Sequence, residues 1–458
     1  MKGLLVAGSA SGVGKTTVAL AIMAGLRQRG MSVQPFKCGP DFLDTGHHSR
    51  VCGRAARNLD TWMLNTEANC DVLRDAARGA DVVVAEGMMG LFDGKSGEAE
   101  TGSSAEIAKL LKLPVVLVVD AAKSARSIAA VVLGFEMFDP ELQLAGVILN
   151  RVGGERHFAM LQAAITAACR TKILGWLPRE PKISIPERHL GLHEATELTA
   201  AMPIETLAEI AETYFDLDAL LALEYPLQSA KGPYVAPADS KTVRVGVAYD
   251  QAFSFYYEDN FDLLRKHGAE IVPFSPMKDT CLPHDLDALY LGGGYPELYA
   301  ERLSENRELL EEVRTFAVSG RPVYAECGGM LYLSQHLTVA DGTIYPMADV
   351  LPLSMEMTDR LVQFGYVTVE FTEDCLLGLQ GTVIRGHSFH YSRIACRPEI
   401  KTSYRVRYSM SGKEELEGFH RGNVLASYIH LHFRANPTAV EHFVAAVRRA
   451  KSLRMVSA

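Results

Sequence analysis

Three groups of residues in this chain have types and spacings suited to chemistry. The first is GSASGVGKTT, Gly8 to Thr17, set between an apolar run and a periodic apolar stretch bearing Val18, Ile22 and Leu26. Glycines there let successive backbone N–H groups curl round a phosphate at a helix N-terminus. Gly8, Ser11, Gly12, Val13, Gly14, Lys15, Thr16 and Thr17 are the candidate nucleotide ligands, with Lys15 reaching the β- and γ-phosphates of ATP and the Thr16 hydroxyl ligating Mg2+. Ser9 holds the usual first-glycine position, yet G-K-T still falls on the helix start. A ligand-free glycine turn would not need strand, GKTT and helix in that order.

The second group is acidic. Asp41 and Asp44 lie in KCGPDFLDTGHH past one apolar run, and Glu86 and Asp93 lie in AEGMMGLFDG at the end of another. Ligand groups collect at the C-terminal ends of strands in an open α/β sheet, so these carboxylates are expected round the γ-phosphate. Magnesium takes one or two carboxylates and keeps several waters, which suits Thr16, Asp41 and Glu86 as metal ligands and leaves Asp93 to orient an acceptor. Solvated loop acids or helix caps are the plain alternative, weightiest at Asp44. Asn150, ending LAGVILN, either reads the adenine edge or caps a strand end. Arg50, Arg54 and Arg57 are candidates to pair with substrate carboxylates, although exposed arginines are usually just solvated.

The third group centres on Cys327 in RPVYAECGGMLYLS, a strand, a sharp turn, two glycines and a helix start. Such a turn presents a nucleophile, and the helix N-terminus is expected to lower the thiol pKa while its N–H groups serve an oxyanion. Gly293, in LGGGYPEL, and Gly328 are the expected oxyanion donors. ASYIHLHF carries His430 and His432, two residues apart and so on one face of a strand, either able to deprotonate the thiol. A buried structural thiol and core histidines are the competing readings. His387 and His390 in RGHSFHYS form another pair, without identifiable partners for a metal site.

Elements must position these groups. KGLLVAG, MSVQPFK, DVVVAEG, PVVLVVD and LAGVILN alternate with amphipathic stretches, the rhythm of a parallel sheet covered by helices. The pattern breaks at YPLQSAKGPYVAPADSK and restarts with VRVGVAYD, a helix near Asp259 to Lys266, AEIVPFSP, DALYLGGG, a helix near Glu297 to Val318, and PVYAEC. The chain of 458 residues exceeds one core at roughly 150 residues per domain. The expected α/β organisation is a P-loop domain over 1–225, a linker over 226–242 and a second α/β domain over 243–458.

With 48% hydrophobic and 22% charged residues the composition is that of a soluble globular protein, and no apolar run approaches the roughly 20 residues that span a bilayer. The N-terminus runs straight into the phosphate loop, so it reads as structural and the protein as cytoplasmic. Eight cysteines without any CxxC pair suit reduced thiols. A net charge of −9 gives no general attraction to nucleic acid. A homodimer is the default oligomer.

The motifs GSASGVGKTT, KCGPDFLDTGHH, AEGMMGLFDG, LYLGGGYPEL, AECGGMLYL, GHSFHYS and ASYIHLHF, in this order, make the chain similar to the cobyrinate a,c-diamide synthase family over nearly its full length. The resemblance implies a dethiobiotin-synthetase-like ATPase domain fused to a class I glutamine amidotransferase domain. It further implies amidation of the a and c carboxylates of a corrinoid, cobyrinate or hydrogenobyrinate, using MgATP and glutamine through acyl phosphates. Asp41, Glu86 and Asp93 match family positions for carboxylate activation, and Cys327 matches the glutaminase nucleophile. Aligning the H-x-E of class I amidotransferases on HLHF puts His430 at the base and His432 where Glu would stand, so the acidic third member is missing and a dyad is expected.

A sister amidase acting on sirohydrochlorin or its nickel form would carry much the same motifs. Cobyric acid synthase would have H-G in place of His430-Leu431 and a longer chain. A partner-switching P-loop ATPase usually has Lys where Ala10 stands and needs no cysteine elbow. A binding protein with a dead amidotransferase lobe would have lost the nucleophile or the base, and neither is replaced.

Overall fold

The structure is a computed structural model that describes residues 1–179, 187–188, 191–192, 203–223, 225, 243–396 and 399–457. It divides into two compact units, Met1–Tyr234 and Val235–Ala458. The segment 226–242, expected as a linker, lies outside the described residues.

The first unit is built on strands β1 (Lys2–Gly8), β2 (Val33–Cys38), β3 (Arg57–Leu59), β4 (Val82–Glu86), β5 (Val115–Asp120), β6 (Leu144–Val152) and β7 (Ile173–Pro178). They form one parallel sheet in the order β3-β2-β4-β1-β5-β6-β7. Central strands such as VVVAE are buried along their whole length, as both faces of a helix-covered parallel sheet require. The five apolar runs became β1, β2, β4, β5 and β6. Edge strands β3 and β7 gave no such signal, because RNL is too short to show a period and ILGWLP is broken by a glycine and ends in a proline.

Helix α1 (Lys15–Gln28) starts at the end of the phosphate loop, and its residues Thr17 to Leu26 are buried against the sheet and the helix Ile204–Tyr214. Helix α2 (Leu43–Cys52) follows β2. The C-terminal ends of β1, β2 and β4 are neighbours in the sheet, so the phosphate loop and both acidic motifs open on one edge.

In the second unit ten strands form one mixed sheet. Its parallel half runs Ala269–Phe274, Val243–Ala248, Ala288–Leu291, Val323–Glu326, Val424–Ser427. Its antiparallel half adds Glu414–Arg421, Lys401–Tyr408, Gln363–Phe371, Val383–His390 and His430–Leu431. The helix expected over Glu297 to Val318 is broken into Pro296–Tyr299, Ala300–Glu305 and Arg307–Val318. The break falls at Asn306, whose amide instead donates to Pro276 and Asp279 carbonyls. Both units are α/β, with the second carrying an antiparallel extension. Among the described residues no helix is long and apolar enough to cross a membrane.

Candidate functional site

At the phosphate loop, Gly14 has φ +90°, and a Cβ there would lie 2.2 Å from Asn150 Nδ2, so only glycine fits. The Asn150 amide donates to the Val13 carbonyl at 2.7 Å and its oxygen accepts from Arg151 N–H at 2.8 Å. The side chain therefore braces the loop from the strand end instead of presenting a free amide to a base. Lys15 folds back on the Ala10 carbonyl at 3.2 Å. Burial first, then the neighbouring Lys37 charge, lowers its pKa, with Glu86, Asp44 and Asp93 opposing.

Glu86, at the end of β4, is the hub of this edge. Its Oε1 accepts from the Thr16 hydroxyl at 2.7 Å and from Lys37 Nζ at 3.0 Å, and its Oε2 lies 2.6 Å from His48 Nε2. Lys37 also pairs with Asp44. Burial alone would raise the Glu86 pKa, but Lys37 and the His48 bond outweigh it and hold the carboxylate ionised. Asp44 takes the opposite sign: burial, then Asp41 and Glu86, push it up to about 7 against the pull of Lys37 and His48. It is an ion-paired core residue, neither a solvated acid nor a cap. Asp41 lies just before α2, and its Oδ1 accepts the Asp44 N–H of the first turn at 2.9 Å. Asp93 is exposed, and its Oδ2 accepts Gly90 N–H at 2.9 Å within the loop that also bonds back to Gly8.

The hydroxyl and carboxylate oxygens of Thr16 and Glu86 suit a hard cation. Lys37 already neutralises the same Glu86 oxygen, so magnesium would enter beside a lysine and not into an all-acid pocket. Among the described residues no group of three His, Cys, Asp or Glu is placed to hold a metal without phosphate.

In the second unit Cys327 sits between the strand Val323–Glu326 and the short helix Gly328–Leu333, at φ +46° and ψ −104°. Strain of this kind in a non-glycine residue persists where the surroundings force it. Here Cys327 N–H is tied to Ser427 O at 2.7 Å, and the helix packs so close that a Cβ on Gly329 would lie 2.2 Å from Leu291 O. Ser427 belongs to the strand beside it, and the chain then runs through Tyr428 and Ile429 to His430.

The His430 ring stacks on His387 (centroids 4.9 Å apart), and its Nδ1 lies 3.8 Å from Glu326 Oε2. Burial brings its pKa down to about 3, helped by His390. His432 packs against Tyr257 at 4.5 Å, and its Nδ1 accepts Arg434 N–H at 3.3 Å, capping the turn that follows. His387 Nδ1 shares a 2.8 Å hydrogen bond with Tyr257 OH, and His390 Nδ1 one of 2.7 Å with Ser392 O.

Two family models match the chain: a CobQ/CobB/MinD/ParA nucleotide binding domain over residues 4–192 and a CobB/CobQ-like glutamine amidotransferase domain over 244–438. A protein named cobyrinate a,c-diamide synthase from Listeria monocytogenes serovar 1/2a is 42% identical over 456 residues, 98% of this chain and 100% of that one. The chain belongs to the cobyrinate a,c-diamide synthase family. Relatives of the same name from Salmonella typhimurium LT2 (42% over 450 residues, 97% of this chain and 98% of that one) and Priestia megaterium (39% over 453 residues, 98% of each) extend the match.

Against that membership, several expectations for the sites change. The helix N-terminus does not lower the Cys327 thiol: burial, then Glu297, pushes it up to about 12, with the Gly328 N–H opposing. A helix of six residues has little dipole to set against burial of the thiol. Gly293 N–H is spent on Phe255 O at 3.3 Å, so an oxyanion would have to displace that bond, whereas Gly328 N–H already faces the sulfur. Arg54 does not present a free fork, since it donates to Gln34, Ser32, Ala76 and Arg78, and Arg57 turns to its own backbone neighbours.

Lys37, His48 and Glu326 were missed. Lys37 is the register partner of Glu86 across β2 and β4, and a lysine inside a fully buried strand was the available signal. His48 stands four residues after Asp44, on the same helix face. Glu326 carried no signal beyond adjacency to Cys327.

Proposed function

We propose that this glutamine-dependent, amide-forming ligase uses MgATP to amidate the a and c carboxylates of cobyrinate, or of hydrogenobyrinate, in cobalamin biosynthesis. What carries the reading is the pairing, in one chain of this family, of a phosphate loop bonded to the buried Glu86 carboxylate with a strained cysteine whose N–H is tied to Ser427 O, three residues before the buried His430. Eight free thiols fit the cytoplasm as its location.

In the first unit, Lys15 and the loop N–H groups hold the triphosphate while Lys37 offsets charge beside Glu86. A substrate carboxylate oxygen attacks the γ-phosphorus, giving acyl phosphate and ADP. Thr16 and Glu86, with Asp41, would hold magnesium, which supplies positive charge to the phosphoryl oxygens. Asp93, exposed near Lys15, orients the acceptor.

In the second unit, Cys327 sulfur attacks the glutamine amide carbon, its proton passes to His430, and Gly328 N–H steadies the oxyanion. His430 returns the proton to the departing ammonia, leaving a thioester that water hydrolyses. Ammonia then displaces phosphate from the acyl phosphate. With the thiol pushed up and the imidazole pushed down, both are neutral at rest, which favours slow glutamine hydrolysis until substrates bind.

The test is mass spectrometry of cobyrinic acid, hydrogenobyrinic acid and sirohydrochlorin after incubation with the protein, MgATP and glutamine. A ring that exchanges OH for NH2 with wild type, fails to do so with Cys327→Ala and glutamine, and recovers with ammonia supports the scheme and names the ring. ATP hydrolysis with no amidated ring would refute the corrinoid assignment.

A further inference from the structure

Glu326 has no part in the scheme above, yet its carboxylate lies 3.8 Å from the proposed base. It is 1% exposed and immediately precedes Cys327. Its Oε1 accepts from Tyr324 OH at 2.6 Å and from Leu431 N–H at 3.0 Å, while its Oε2 accepts from Tyr290 OH at 3.1 Å and lies 3.8 Å from His430 Nδ1. Three donors keep a carboxylate fixed in a core where it would otherwise be expelled or disordered. One of them belongs to the residue after His430, so Glu326 sets the backbone that carries the imidazole as well as facing its ring. Asn260 grips the same segment, donating to Leu431 O and accepting Phe433 N–H, each at 2.8 Å.

We propose that Glu326 is the positioning carboxylate of His430, supplying from the residue before the nucleophile the third member that is absent two residues after the histidine. The inference rests on the reading of Cys327 and His430 as the glutaminase pair. When the other ring nitrogen, Nε2, takes the thiol proton, the sulfur–carbon bond forms and the imidazolium presents Nδ1–H to Glu326. The amide C–N bond then breaks and the Nε2 proton leaves on ammonia. Glu326 gains no proton; it orients the ring and offsets its transient charge. Burial pushes the Glu326 carboxyl up to about 7 while Tyr324, Leu431 and Tyr290 pull it down, and a neighbouring imidazolium favours its ionised form.

The alternative is that Glu326 only ties two tyrosines and a strand together. Glu326→Gln in the full chain separates the two, with glutamate release from glutamine and ammonia-driven ring amidation measured side by side under MgATP and cobyrinic acid. The expected result is a fall of about 10²-fold in kcat with glutamine, KM for glutamine within about threefold, and an unchanged ammonia reaction. Tyr290→Phe, which removes one donor to the same carboxylate but keeps its charge, should lower kcat with glutamine by less than Glu326→Gln does and leave the ammonia reaction unchanged. An unchanged glutamine kcat in Glu326→Gln, or equal losses with glutamine and ammonia, would overturn the proposal. Glutamine-dependent activity surviving in Cys327→Ala would instead sink the underlying reading.

Discussion

Removing Lys37 tests the electrostatic logic of the first unit. Its side chain is 4% exposed and sits between Asp44 and Glu86, which are 5% and 1% exposed. Breaking a buried ion pair from one side costs about 3–5 kcal/mol, because a charge is left without a counter-ion. In Lys37→Met, Glu86 keeps His48 at 2.6 Å and Thr16 at 2.7 Å, and Asp44, already pushed up to about 7, can take a proton at neutral pH. Both effects hold the cost to the low end, about 3 kcal/mol.

The assay is urea unfolding without nucleotide, followed by tryptophan fluorescence, since the only two tryptophans, Trp62 and Trp176, lie in the first unit. With an m-value of about 3 kcal/mol per molar urea for a unit of this size, the midpoint should drop by about 1 M. The sign with pH follows from the carboxyls. In the variant the folded pKa of Asp44 rises further and that of Glu86 rises from its lowered value, so between the ordinary carboxyl value and a raised one the folded state binds more protons than the unfolded state. Stability there grows on acidification, and the penalty at pH 6 should be smaller than at pH 8. A midpoint shift under about 0.3 M, or a penalty that grows toward pH 6, would show that Lys37 is not what keeps these carboxylates in the core.

Asn150→Ala removes the 2.7 Å brace on the phosphate loop and should weaken ATP and GTP binding alike, by about 1 kcal/mol each in a calorimetric titration; loss confined to ATP would restore the base-reading role. Iodoacetamide at neutral pH, followed by peptide mass spectrometry without glutamine, should label the exposed Cys281 and Cys396 before Cys327, whose thiol is buried and pushed up to about 12. Arg54→Ala should lower stability by about 1–2 kcal/mol through lost hydrogen bonds to Ala76 and Arg78 while leaving KM for the ring unchanged; a raised KM with unchanged stability would return it to the substrate site.

Much of the molecule was readable from the sequence because its determinants are local. The phosphate loop is a strand, glycines and a lysine in a run of ten residues. Four of the five interior strands of the first sheet announced themselves as continuous apolar runs, β2 as an apolar stretch interrupted by Gln34 and Lys37, and the cysteine elbow is a contiguous strand-turn-helix. The order of the motifs sufficed to place the chain in its family. Two kinds of feature were not local.

Edge strands β3 and β7, and the antiparallel extension of the second sheet, are held by partners distant in sequence and have weak periods of their own. Protonation depends on what surrounds a group in three dimensions. The sequence put a thiol at a helix start and implied a lowered pKa, but only the fold revealed that burial outweighs a six-residue helix there. In the same way Asp44, Glu86 and Lys37 read as separate residues along the chain. Parallel pairing of β2 with β4, and the turn that brings α2 over them, made them one buried charge network with His48, and the return of the chain at Leu431 brought Glu326 to the proposed base. Residue types and short spacings fixed which chemistry was available; long-range packing decided which groups are charged and which face one another, because desolvation and Coulomb attraction act through space and not along the chain.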